Sequence, residues 1–451
     1  MPSRSALSRP WNGHAIGVLW DQSLVWGLLC VDTLSAAGIP FRLIGTSDIH
    51  CGCLAECRIL LVPGGWAAHK VRALGETGKR NVGEFLDRGG AYIGFCGGAG
   101  MALSSPPSLC LAPLERMPLA ERLPSASGRI GIAGDRSHPA WKDLKPQILS
   151  SVWWPSQFKW TPAGDVAVRP IGMYSEPGVD FQVADLRVSD LGPDVSWPGL
   201  EKSYGINLDP ARIVGHPAII EATKGNGRLI LSYAHLETPG DIEGNLLLRN
   251  LLEYLEEQTI KPVKCAESSF THKTRTAAEW PDERFWAAIG RARAAAAELI
   301  SFGEANLLWN WRKSWLLNWR RGIRGLEYGS LYVTLSYMDG LREKYTGEAA
   351  FPANTTGSAG NWRFRADKLE KHTLEFCALA RQLLLEEKIA TQTAVVSKLG
   401  AVNERVDALR TALFGNRMNH GGLCRALFDV IDSMLFDMLK TIDPANGFPS
   451  L

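Results

Sequence analysis

A short apolar run, Ala91 to Phe95, leads straight into Cys96-Gly97-Gly98-Ala99-Gly100. The run is too short for a helix and reads as a buried strand. The glycines after it make the chain turn at once. A nucleophile set among close glycines (Gly94, Gly97, Gly98) at a strand-to-helix turn has the layout of a nucleophile elbow. The turn is tight and strained, so its neighbours must be small. The thiol then projects from the carboxyl edge of the sheet. A helix starting at Gly97 points its N-terminus at the sulfur, which favours thiolate, and leaves the Gly97 N–H to meet a developing oxyanion.

The surrounding sequence places this strand in a larger pattern. His14–Trp20, Phe41–Ile49 and Ile59–Val62 are further strand candidates, separated by helix-like Ser23–Ala37 and Val71–Leu86. Strands alternating with helices predict a three-layer α/β fold, a mostly parallel sheet of flavodoxin-like type with helices on both faces. Residues 105–210 are rich in Pro, Gly and Trp and read as irregular strands and loops extending the sheet. A hairpin follows at PAIIEAT and RLILSYAH, turning at Gly225-Asn226-Gly227 with Asn226-Gly227 as a two-residue turn signal, and then a helix at Gly244–Glu257.

A length of 451 residues suggests two or three domains. Residues 10–258 form the expected α/β domain. The polar stretch 259–282 carries Pro262 and Pro281 and reads as a linker. Residues 283–451 read as an all-α helical bundle. Val395, Leu399, Val402, Val406, Leu409 and Leu413 mark a helix-pair seam there, and Gly347–Gly360 marks a loop.

A thiolate needs a base from elsewhere in the chain. His235-Leu236-Glu237 ends the strand RLILSYA. Residues two apart on an extended segment point the same way, so Glu237 is placed to orient His235 toward Cys96. A second oxyanion donor lies at Gly64-Gly65, again at a strand end. Asp21, just past the first strand, is a candidate for a ligand's amino group or for capping the helix at Ser23. All of these fall at carboxyl ends of the strands, where open α/β sheets hold their sites.

Taken in order, VPGGW, GFCGGAG and GRLILSYAHLE resemble the class I glutamine amidotransferase-like family. Within it they are most similar to the domain at the N-terminus of some biotin–protein ligases. The resemblance implies a Cys96-His235-Glu237 triad, oxyanion donors near Gly65 and Gly97, a thioester intermediate, and a small amide or glutamine-like substrate. It requires no cofactor and no metal. Gly97, rather than His, follows the nucleophile, which disfavours the protease/chaperone branch of the fold. Leu236 stands where the amidotransferases usually have Pro. The biotin-ligase catalytic run is absent from residues 259–451, and no synthetase domain is visible to receive ammonia. An alternative therefore stays open: a non-catalytic ligand-binding or scaffold module using the same cleft, with the helical part for partner binding or oligomerisation.

Other signals are weaker. A net charge of +2 and 45% apolar residues give no strong nucleic-acid or membrane signal. No stretch approaches the ~18–20 apolar residues that cross a bilayer. The first residues lack an apolar signal core, and nine scattered cysteines read as reduced thiols, so a cytoplasmic protein is expected. His50, Cys51, Cys53 and Cys57 crowd together, but their spacing is not that of a zinc site and reads as a loop. Trp153, Trp154 and Trp160 read as core, with a pocket wall as the second option. Trp311, Trp315 and Trp319 recur every four residues and predict a Trp-rich core stripe on one helical face with arginines snorkelling at its edge, the alternative being a basic aromatic surface for an anionic membrane, nucleic acid or a partner protein.

Overall fold

A computed structural model of the chain describes residues 10–161, 167–259, 282–343, 359–392, 400–415 and 421–440. It contains two compact units, Met1–Cys265 and Ala266–Leu451. The expected linker 259–282 lies outside the described residues except at its two ends.

The first unit begins with strands and helices in alternation: β1 (Ile16–Leu19), α1 (Val25–Ala36), β2 (Phe41–Ile44), α2 (Thr46–His50), β3 (Ile59–Val62), α3 (Ala67–Asp87), β4 (Ala91–Phe95) and α4 (Gly97–Ala102). The chain then adds β5 (Glu115–Arg116), β6 (Ala126–Gly134), β7 (Gln147–Trp153), β8 (Phe158–Lys159), β9 (Val168–Pro177), β10 (Gln182–Val183), β11 (Leu186–Arg187), α5 (Trp197–Tyr204), β12 (Pro217–Lys224), β13 (Gly227–Ser232) and α6 (Ile242–Gln258). Strands β2, β1, β3, β4 and β13 lie side by side in that order, all parallel. Beyond β13 the sheet continues antiparallel through β12, β9, β6, β10 and β11, and β7 also pairs with β6. The irregular stretch 105–210 therefore supplies most of the antiparallel half of the sheet.

Every residue of β1, β3 and β4 is buried, as continuous apolar strands covered on both faces must be. Helix α1 is apolar almost all round and sinks nine of its residues into the core. It closes at Gly38, φ +63°, where the Ile39 N–H reaches back to the Leu34 carbonyl at 3.0 Å. Arg249 of α6 is fully buried and still satisfied. Its guanidinium donates to Glu253 at 2.9 Å, to the Ala37 carbonyl at 3.1 Å and to the Pro10 carbonyl at 3.3 Å, tying α6 to the end of α1.

The β12–β13 turn falls within the expected Gly225-Asn226-Gly227. The β12–β13 loop is Gly225-Asn226, and Gly227 already pairs with Lys224. Gly225 takes the positive φ, +55°, against Asp87, where a Cβ would meet the Asp87 carboxylate at 2.6 Å. That close approach, rather than the Asn-Gly pair, sets the turn.

The second unit comprises α7 (Glu283–Ala305), β14 (Trp309–Lys313), β15 (Leu316–Trp319), α8 (Leu326–Gly340), α9 (Ala359–Ala390), α10 (Glu404–Phe414) and α11 (Gly422–Lys440). It is helical, with one correction. The Trp311, Trp315 and Trp319 stripe is not on a helix; it lies on a two-stranded hairpin turning at Ser314-Trp315. Helix α7 stops because Leu307 adopts φ +55° and the Leu308 N–H closes on the Gly303 carbonyl at 2.9 Å. Trp309 then pairs across to Trp319, an aromatic pairing that suits strands. The expected seam is also shorter. Val402 precedes the Asn403 cap of α10, so only Val406, Leu409 and Leu413 of that seam sit on this helix. Val395 and Leu399 lie outside the described residues, as does the expected loop 347–360 except for Ala359 and Gly360, which open α9.

Within this unit, Glu387 and Arg410 form a buried ion pair, 2.7 Å from Arg410 Nη2 to Glu387 Oε1. Arg410 also donates to the Gly400 carbonyl at 2.8 Å. In the same unit, Arg324 pairs with Glu327 at 2.6 Å and lies 4.1 Å from the centre of the Phe414 ring.

Candidate active site

Cys96 sits between β4 and α4 with φ +46° and ψ −102°, a strained backbone that non-glycine residues rarely adopt. Its N–H donates to the Ser232 carbonyl at 2.8 Å, continuing the β4–β13 register. The residues around it must lack side chains. A Cβ on Gly97 would stand 1.9 Å from the Gly65 carbonyl oxygen, and one on Gly98 would stand 2.1 Å from that of Val62. The elbow therefore packs backbone on backbone against the β3 loop. This brings the Gly65 and Gly97 N–H groups to one place. Neither donates to another described residue.

His235 follows β13 and is fully buried, as is Glu237. Nδ1 of His235 lies 2.7 Å from Glu237 Oε1. A carboxylate only accepts, so Nδ1 carries the proton and donates, leaving Nε2 for the sulfur. Nε2 is buried beside the Cys96 thiol without a well-aligned hydrogen bond in this resting state. Burial pulls the imidazole toward neutrality. The Glu237 charge and hydrogen bond, with the nearby Cys96 sulfur, outweigh burial and push the pKa up to about 10. The arrangement favours an imidazolium beside the sulfur, the partner a thiolate needs.

The loop bearing His235 is fixed from several sides. The His235 N–H donates to the Ser151 carbonyl at 2.8 Å. The Thr33 hydroxyl of α1 donates to the Glu237 carbonyl at 2.8 Å, and the Trp153 indole donates to the Thr238 hydroxyl at 3.0 Å. The Asn245 amide spans the Leu236 and Thr238 carbonyls at 2.7 and 2.9 Å. Trp26 lies against the imidazole, ring centres 4.8 Å apart, and Trp154 stands edge-on to Trp26 at 6.5 Å. Gly64 fits against both Trp26 and His235, since its Cβ would touch Trp26 at 3.0 Å and His235 at 3.1 Å.

The structure thus brings Cys96, His235, Glu237, Gly64, Gly65 and Gly97 to one edge of the sheet. Asp21 does not cap the helix at Ser23. Its carboxylate accepts from the Thr46 N–H at the start of α2, not from the helix at Ser23. Its carbonyl accepts from the buried ammonium of Lys70 at 3.0 Å, and the same ammonium donates to Ser23 Oγ at 2.5 Å. This tie holds the Asp21–Ser23 loop under Gly65, whose Cβ would strike the Gln22 carbonyl at 2.3 Å. Of the crowded thiol segment, His50 faces the Leu74 carbonyl at 2.8 Å, Cys57 lies 3.7 Å from Arg42, and Cys51 is exposed. Three supporting residues carry no signal in the sequence. Trp26 and Thr33 sit inside an apolar helix that looks like plain core, and Lys70 opens a polar one.

Comparison with known proteins adds one family. Residues 53–105 match the family model described as "Biotin-protein ligase, N terminal". That stretch spans β3, β4 and the Cys96 elbow. No curated protein matches the chain. Among solved structures, the chain is similar to PurLQS from Thermotoga maritima, at 13% identity over 54% of this chain and 99% of that one, TM-score 0.36. It is similar to a glutamine amidotransferase from Thermotoga maritima, at 10% identity over 54% and 99%, TM-score 0.36. A putative thua-like protein from Bacteroides uniformis gives 12% identity over 53% and 90%, TM-score 0.34. The first unit is an α/β domain whose sheet is parallel from β2 to β13 and antiparallel beyond it. Among the described residues, no helix is long and apolar enough to cross a membrane.

Proposed function

We propose that the first unit hydrolyses the C–N bond of a small carboxamide through Cys96. The observation that carries this reading is the buried His235–Glu237 pair beside a strained cysteine, with two undonated N–H groups next to it. The Cys96 thiolate attacks the amide carbon, and the oxygen takes up the negative charge facing Gly65 and Gly97. His235 Nε2 gives its proton to the departing nitrogen. The C–N bond breaks, leaving a thioester and ammonia or an amine. Water then attacks the thioester as Nε2 takes its proton, and the C–S bond breaks to return carboxylic acid and thiol. Glu237 keeps the imidazole in one tautomer throughout.

Ammonia release from a panel of primary amides, glutamine included, tests the proposal. Turnover that disappears in Cys96→Ser and His235→Asn supports it. Release unchanged by both substitutions, or none from any amide, counts against it.

A further inference from the structure

One cluster beside Cys96 has no part in the triad. Arg116 Nη2 donates to the Gly100 carbonyl at 3.2 Å, and the Gly100 N–H in turn donates to the Cys96 carbonyl at 2.8 Å. A Cβ on Gly100 would touch Arg116 Nη2 at 2.8 Å and the Tyr233 hydroxyl at 3.6 Å. Tyr233 directly follows Ser232, whose carbonyl holds the Cys96 N–H. Arg122 donates to Ser156 Oγ at 2.7 Å, and Ser156 also neighbours the Tyr233 hydroxyl. Tyr233 packs on Phe158 with ring centres 4.4 Å apart. Two guanidinium groups and a phenol therefore converge one helical turn along α4 from the Cys96 backbone.

The cluster is electrostatically incomplete. Neither Arg116 nor Arg122 forms an ion pair among the described residues. Of the two acids adjacent in sequence, Glu115 pairs with Lys159 at 2.8 Å instead, and Glu121 is exposed and forms an ion pair with neither arginine among the described residues. The Nε atoms of both arginines and the hydroxyls of Tyr174 and Tyr233 are buried without a well-aligned hydrogen bond. Tyr174 and Tyr233 are 2% and 1% exposed. Burial and the charge of Arg116 both hold the Arg122 pKa down. Like charges kept together, half-buried and without a counterion, are disfavoured unless an anion completes them. Both arginines keep partial exposure, as does Cys96, so solute can reach all three.

We propose that Arg116 and Arg122 form an anion-recognition subsite, and that the amide substrate carries a carboxylate or phosphate group bound there. The Tyr233 hydroxyl borders the same cluster beside Gly100. The subsite rests on the amidase reading for the identity of the reacting atom and adds the charge class of the substrate.

The test alkylates Cys96 in the full chain with iodoacetate, an anion, and iodoacetamide, its neutral analogue. The subsite predicts an iodoacetate-to-iodoacetamide rate ratio at least about tenfold above that of a free thiol in the same buffer. Arg116→Gln and Arg122→Gln should each lower that ratio while leaving the iodoacetamide rate near wild type, which also shows that the variants fold. Inorganic phosphate or acetate, added in competition, should slow the iodoacetate reaction, and the stronger protector names the group. A wild-type ratio equal to the free thiol's, a ratio unchanged in both variants, or protection by neither anion overturns the proposal. A slow Cys96 with an arginine-dependent anion preference sinks the amidase reading alone. A fast Cys96 without that preference sinks only the subsite.

Discussion

Gly97 and Gly65 meet backbone to backbone: a Cβ on Gly97 would lie 1.9 Å from the Gly65 carbonyl oxygen. No rotamer change relieves such an overlap, because the obstructing atom is main chain. Gly97→Ala should therefore destabilise the first unit by about 1–3 kcal/mol and slow Cys96 alkylation by separating the two N–H donors. Gly83→Ala is the control. Its Cβ meets nothing nearer than 3.9 Å on helix α3, so it should be neutral or stabilising by up to about 1 kcal/mol. Thermal unfolding of the two variants checks the contrast.

Glu237→Gln keeps the shape of the carboxylate and removes its charge. It also offers an amide that can leave His235 in the wrong tautomer. The charged hydrogen bond at 2.7 Å is worth about 1.5–3 kcal/mol, so Cys96 alkylation at neutral pH should fall about 10–100-fold. The alkaline limb of its pH–rate profile, expected near the His235 value of about 10, should move down.

The same histidine ties stability to pH. Its folded pKa of about 10 lies above the unfolded value of 6.5. The proton is held more tightly in the folded state. This contribution is fully present below pH 6.5 and is lost as pH rises through about 10. The denaturation midpoint of the first unit should fall across that window, and Glu237→Gln should flatten the fall. Urea titrations of both proteins at about pH 6, 8 and 10 measure it.

In the second unit, Glu387→Leu would leave Arg410 buried without its carboxylate. Breaking such a pair is expected to destabilise by about 3–5 kcal/mol, whereas Glu387→Leu with Arg410→Met should recover much of the loss. Chemical denaturation of the single and double variants decides between a pair that stabilises and one that must simply be matched.

Much of the site can be read from the chain because its parts have short-range reasons. The elbow needs glycines next to Cys96, and His235 and Glu237 need only the two-residue period of an extended segment. What stays hidden depends on long-range packing. Trp26 reads as core until β13 brings His235 beneath it. Arg116 and Arg122 come from a stretch whose irregular periodicity hides its strands. Trp311, Trp315 and Trp319 share a spacing of four with helices, yet the left-handed stop at Leu307 and the Trp309–Trp319 pairing make them a hairpin. Asp21 reads as a local cap because its true partner, Thr46, lies one strand further along the chain.

Site-resolved labelling with an alkylating glutamine analogue, read by peptide mass spectrometry, asks whether the triad activates its sulfur. Cys51 and Cys110 are exposed and serve as internal standards. Fast, saturable labelling is expected at Cys96, vanishing in Cys96→Ser and slowing sharply in His235→Asn. Labelling of Cys51 and Cys110 at least as fast as Cys96, indifferent to His235, would contradict an activated thiol.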